Sequence, residues 1–79
     1  MAHPRQGEVF WANLDPTIGR EIRKRRPVLV VSPDEMNRNL ATVIAAPITL
    51  THRPWPTRCR ISYRGTSKSV ALDQIRCLD

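Results

Sequence analysis

Proline stands at positions 4, 16, 27, 33, 47, 54 and 56 of a 79-residue chain, and no other feature constrains the fold so tightly. Each proline lacks an amide donor and clashes with the helical turn before it, so few windows are left for a helix of ordinary length. A mainly β fold is therefore expected. Glu8 to Leu14 reads as a first strand carrying Val9, Phe10 and Trp11, closed by the turn cluster Asp15-Pro16-Thr17-Ile18-Gly19. Phe10 and Trp11 are adjacent, so a regular strand can turn only one of them to the core and leaves the other for a subunit interface. Pro27 to Ser32 is a continuous apolar run, as in a strand buried on both faces. Pro33 to Asn39 reads as one short helical turn, with Ser32 as its cap and Glu35 at capping-box spacing.

Thr42 to Thr49 is a third strand, and Leu50 to Thr57 a loop in which Pro54 and Pro56 flank Trp55. The alternation from Arg58 to Tyr63 predicts a strand with Cys59, Ile61 and Tyr63 on one face and Arg58, Arg60 and Ser62 on a solvated one. Arg64-Gly65-Thr66-Ser67 signals a hairpin, Ser69 to Leu72 returns, and Ile75 to Leu78 is a final short strand. Five to six short strands with no repeat or linker imply one domain over residues 1–79, built as a small barrel.

A chain this short buries only about 60% of its unfolded surface, so a partner subunit would add needed stability. Thirteen Lys and Arg against seven Asp and Glu leave a formal net charge of +6, which favours an anionic partner. No apolar run approaches the ~20 residues that span a bilayer, and Met1-Ala2-His3-Pro4-Arg5 lacks the apolar core of a signal peptide. A cytoplasmic protein without a membrane partner is expected. Cys59 and Cys77 have no second Cys or His at metal-ligand spacing, so they read as small buried hydrophobes and neither a metal nor a disulfide framework is expected.

The positive charge is densest at Gly19-Arg20-Glu21-Ile22-Arg23-Lys24-Arg25-Arg26-Pro27, where one carboxylate sits among five cations just before an apolar strand. Cations gathered against a rigid element can hold a phosphate backbone, and Glu21 is a group capable of proton transfer there. Glu21 can equally form an ion pair with Arg20, Arg23 or Lys24.

Gly7-Glu8-Val9-Phe10-Trp11, Leu14 to Glu21, Arg26 to Pro33, Asn37-Arg38, Val43 to Thr49 and Asp73-Gln74-Ile75-Arg76 occur in an order that resembles the MazF/PemK (Kid) toxins of type II toxin–antitoxin systems. The resemblance covers nearly the whole chain. It implies an SH3-like barrel, a homodimer, and a sequence-specific endoribonuclease that needs no metal or other cofactor and is neutralised by a cognate antitoxin protein. It also implies roles for Glu21 and Arg26, which match the family's acidic residue and catalytic arginine, and for Thr49, Asp73 and Gln74. PemK-like members carry an arginine two residues before that aspartate, where this chain has Ala71. They also continue into a C-terminal helix, so the domain is expected to be C-terminally short and to lack it. Relatives of the same barrel poison gyrase, and a non-catalytic barrel that binds an antitoxin, RNA or a protein target is the alternative.

Cleavage of single-stranded RNA without a metal requires a deprotonated ribose 2′-hydroxyl, a stabilised phosphorane and a protonated 5′-oxygen. Glu21 is the candidate general base, although an unperturbed Glu near pKa ~4.3 is a weak one unless its site tunes it. Arg26 can clamp two phosphate oxygens with its planar fork, and Thr49 can donate its hydroxyl to a third. Arg20, Arg23, Lys24 and Arg25 attract and position the backbone. Trp55, stiffly presented between two prolines, can stack on a base or pack against the barrel. Asp73 and Gln74 can read a base edge, unless Asp73 simply pairs with Arg76. His3 and His52 match no family position, so a histidine acid–base pair is not expected.

Overall fold

The computed structural model describes residues 3–14 and 25–78. Among these, strands β1 (Val9–Asn13), β2 (Arg25–Val30), β3 (Val43–Thr49), β4 (Arg58–Tyr63), β5 (Thr66–Ala71) and β6 (Arg76–Leu78) form one antiparallel sheet. Helix α1 (Asp34–Asn39) links β2 to β3, and a 3₁₀ turn (Leu72–Gln74) links β5 to β6. The order β1-β2-β3-β5-β4, with β6 also on β3, bends into a small barrel, as the short strands suggest, of the SH3-like kind that the family resemblance implies. No helix among the described residues is long and apolar enough to cross a membrane.

β3 organises the barrel by changing partner along its length. Val43, Ile44 and Ala45 pair with Leu78, Cys77 and Arg76 of β6, whereas Ile48 and Thr49 pair with Val70 and Ser69 of β5. β2 covers the other edge through Val28↔Pro47, Leu29↔Ala46 and Val30↔Ala45. A proline inside a central strand ordinarily costs a ladder bond. Pro47 falls in the gap between the β6 and β5 pairings, where the strand is changing partner. Pro27 is opposite Trp11 on β1 and one residue outside the β2–β3 ladder. Both prolines therefore lie at breaks in the pairing, which reconciles them with the interior of the sheet.

Five successive residues of β3, Ala45 to Thr49, are buried. Alternation sends Ala45 into one cluster with Leu14 and Val28, and Ala46 and Ile48 into another with Val70. Small alanines at the shared position let the two packing layers approach closely.

Several element ends differ from expectation. β2 starts at Arg25 because Asn13 and Ala12 of β1 give Arg25 and Arg26 ladder partners. β5 starts at Thr66 because Arg64 and Gly65, at φ 54° and 75°, make a two-residue turn that pairs Tyr63 directly with Thr66. Ser32 does not cap α1: Pro33 occupies the cap position, without a side-chain bond. The buried Ser32 hydroxyl instead donates to Asn37 Oδ1 (2.5 Å) and accepts from the Ile44 amide (3.0 Å), pinning the helix to β3.

Cys59 and Cys77 are exposed rather than buried, because among the described residues β4 is an edge strand and β6 has β3 as its neighbour on one side alone. Phe10 and Trp11 are both exposed, at 42% and 58%, since β1 lies at the other edge of the sheet. Arg20, Glu21, Arg23, Lys24 and the turn cluster 15–19 lie outside the described residues.

Candidate functional site

Strand alternation decides where the two arginines of β2 go. Arg25 is exposed and rests on Trp11, with its guanidinium carbon 5.7 Å from the ring centroid. Arg26, the next residue, is half-buried and turns into an open cleft of about 560 Å³. Its backbone is held by the pairing with Ala12, and the buried Pro27 and Val28 follow it. Arg26 thus projects from a rigid element, the placement that precise anion recognition needs.

The end of β3 supplies the next wall. Thr49 is 6% exposed, and its hydroxyl oxygen accepts the Thr51 amide at 3.2 Å. That bond folds the chain back at the end of the strand and brings Thr51 into the cleft beside Thr49. His52 follows, with Nδ1 2.6 Å from the hydroxyl of buried Ser69 on β5. The start of the 50–57 loop is therefore tied to the sheet. Its far end is tied as well: the Arg58 amide donates to the Trp55 carbonyl at 3.0 Å, and the Leu72 amide to the Thr57 carbonyl at 2.9 Å. Arg53 and Trp55 line the cleft from between these anchors.

The floor comes from the 3₁₀ turn and the start of β4. Asp73 and Gln74 face the cleft from the turn. Asp73 does not pair with Arg76, whose Nη1 donates to the Leu14 carbonyl at 2.8 Å. Its partner is Arg58, whose Nε donates to Oδ1 at 2.8 Å and Nη2 to Oδ2 at 3.2 Å. The Thr57 hydroxyl adds a bond of 3.1 Å to Oδ1. The Arg58 hydrogen bonds hold the Asp73 carboxyl below the usual carboxylate range.

Of the residues singled out in the sequence, Arg26, Thr49, Trp55, Asp73 and Gln74 thus line one cleft, and Arg25 lies outside it. Glu21, Arg20, Arg23 and Lys24 fall outside the described residues. Three guanidinium groups, of Arg26, Arg53 and Arg58, line the cleft against the single carboxylate of Asp73, so the described lining favours anions. Among the described residues no group of three or more His, Cys, Asp or Glu side chains could hold a metal ion. Thr51 carried no signal in the sequence. Arg58 did, but as part of a solvated strand face, whereas its side chain is 6% exposed.

A family model described as the PemK-like, MazF-like toxin of type II toxin–antitoxin systems matches residues 5–79. The chain belongs to this family. Endoribonuclease EndoA of Bacillus subtilis is 36% identical over 81 residues, covering 95% of this PemK-like chain and 70% of its own length. Endoribonuclease MazF6 of Mycobacterium tuberculosis is 53% identical over 45 residues, 56% of this chain, and the match spans only 40% of the mycobacterial protein. The crystal structure of MazF from Deinococcus radiodurans superposes with a TM-score of 0.82 at 32% identity, over all of this chain and 73% of that one. MazF in the MazE–MazF structure from the same organism superposes at 0.72, with 29% identity and 70% of that chain covered. The PemK-like match and the MazF superpositions thus agree on the barrel that carries the cleft.

Proposed function

We propose that this toxin-family domain is an endoribonuclease that cuts single-stranded RNA in its cationic cleft, without a metal and with sequence preference. The observation that carries the reading is the convergence of Arg26, Thr49, Trp55, Asp73 and Gln74, from four separate segments, on one cleft in a barrel whose relatives are named endoribonucleases. Glu21 removes the proton of the ribose 2′-hydroxyl. The resulting oxygen attacks the adjacent phosphorus, and the 5′-oxygen leaves with a proton taken from solvent or an ordered water. Arg26 faces the charge that grows on the phosphorane, where a preorganised fork acts most strongly. Thr49 takes the Thr51 amide on its oxygen and keeps its own hydrogen to donate to a phosphoryl oxygen. A guanidinium holds its protons too tightly to be a good acid, which is why the leaving-group proton is not assigned to Arg26.

A protein antitoxin is the natural inhibitor of such a cleft, and the MazE–MazF structure of the Deinococcus relative supports that partner. A homodimer in the cytoplasm completes the reading. The exposed Phe10 and Trp11 border a groove of about 450 Å³ with Val28 and Leu78, an apolar surface suited to a subunit contact.

The test is incubation of the purified chain with mixed-sequence RNA in excess EDTA, followed by mapping of the new ends. Expected products carry a 2′,3′-cyclic phosphate or 3′-phosphate on one side and a 5′-hydroxyl on the other. Cleavage that survives 2′-deoxy substitution at the cut site would rule out the mechanism. RNA bound but never cut would make the domain a non-catalytic binding barrel.

A further inference from the structure

Arg58 is an unusual residue for an edge strand. It opens β4, carries a full charge, and yet leaves only 6% of its side chain exposed. Two contacts account for this burial. Its fork is closed on both oxygens of Asp73, at 2.8 and 3.2 Å, and its guanidinium carbon is 4.8 Å from the centroid of the Trp55 ring. Carboxylate, guanidinium and indole therefore form a continuous series of contacts from the 3₁₀ turn to the loop.

The chemistry of each group suits this order. A guanidinium whose edge is committed to a carboxylate still presents a flat face on which an aromatic ring can lie. The Arg58 amide also holds the Trp55 carbonyl, so backbone and side chain of one residue fix the same tryptophan. Trp55 nevertheless keeps 47% of its surface exposed and lines the cleft. An indole fixed in place with exposed surface can stack an unpaired base with little ordering cost. The second guanidinium near the ring, that of Arg53 at 5.9 Å, is on an exposed residue and can move aside for a base. Asp73, by contrast, spends both oxygens on Arg58 and one of them also on Thr57.

We propose that Arg58 is a positioning residue for RNA recognition: locked by Asp73, it holds Trp55 as a preformed platform for one unpaired base, and Asp73 acts through Arg58 without touching the RNA. This rests on the ribonuclease reading of the cleft, and it moves Asp73 from a base-reading role to a supporting one.

The experiment is a double-mutant cycle of Arg58→Lys and Trp55→Ala, read as Kd for an uncleavable mixed-sequence 2′-O-methyl oligonucleotide and as kcat and KM on RNA. Lysine keeps the charge and loses the fork and the flat face. Trp55→Ala is expected to weaken binding by roughly 5- to 150-fold, the range for one stacked base, with the loss in KM exceeding that in kcat. Arg58→Lys and Asp73→Asn should shift Kd in the same direction, and Trp55→Phe should restore most of the affinity. The Arg58→Lys/Trp55→Ala double variant should bind no more weakly than Trp55→Ala alone. In a Trp11→Phe background the remaining indole emission should be quenched on binding. Additive losses, or RNA bound with Trp55 emission unchanged, would overturn the platform while leaving the ribonuclease reading intact. If the unaltered chain neither binds nor cuts RNA, the reading beneath the proposal fails and the proposal fails with it.

Discussion

On the proposed function, Arg26→Ala should separate catalysis from folding in this domain. The backbone of Arg26 is held by pairing with Ala12, whatever side chain the residue carries, and the neighbouring Pro27 and Val28 supply the burial. Truncating a half-buried arginine should therefore cost about 1 kcal/mol of stability, or ~4–8 °C in Tm for a domain of this length. Total stability on the order of 4–12 kcal/mol keeps such a variant folded at 25 °C. The chemical effect should be much larger. Removal of one preorganised donor from a developing oxyanion costs about 2.7–4 kcal/mol, and at ~1.4 kcal/mol per decade that is a 10²- to 10³-fold fall in rate. Arg26→Lys should recover little of it, because an ammonium cannot reproduce the fork. The assay is single-turnover cleavage of a fluorogenic RNA at saturating protein in EDTA, with a circular-dichroism melt on the same sample. A loss below tenfold at saturation, or one abolished by raising the protein concentration, would show that Arg26 only binds RNA.

Two further outcomes follow from the packing and the charges. Ile48 of β3 is 2% exposed and packs with Ala46 of the same strand and Val70 of β5, so Ile48→Ala should cost about 2–5 kcal/mol and lower Tm by at least ~8 °C; a drop below ~4 °C would mean that this cluster does not carry the core. Asp73 has a carboxyl held below its reference value of 3.8 in the folded state, so its pairing with Arg58 stabilises the fold fully above that value and fades as pH falls through the lower folded one. The Tm advantage of the native chain over Asp73→Asn should be flat from pH 7 to about 5, a few degrees in size for a part-exposed pair, and vanish in acid. An advantage that grows as pH falls below 3.8 would contradict this.

The fold was readable because its determinants are local. Seven prolines exclude long helices, and the alternation from Arg58 to Tyr63 places β4 with both ends correct. Arg26 and Thr49 could be named because the family resemblance matches both positions, whereas a threonine at a strand end or an arginine at a strand entrance is ordinary on local grounds alone. The misplaced residues depend on neighbours distant in sequence. Arg58 was assigned to a solvated face because nothing near it shows that Asp73, fifteen positions away, closes on its fork. Cys59 was assigned to the core by the same alternation, which cannot distinguish an edge strand from a central one. Ser32 has the residue type of a helix cap, but burial against Ile44 and Asn37 gives its hydroxyl better partners.

Thr49 closes β3, the one strand among the described residues that is zipped to β2, β5 and β6. Local opening in a protein starts where few contacts must be broken, and amides at such a hub exchange with solvent only when the whole domain unfolds. A cleft wall mounted on this strand has no private route to disorder. On the proposed function, heat or denaturant should therefore extinguish activity and structure at a single midpoint, and silencing of the folded domain would fall to whatever occupies the cleft.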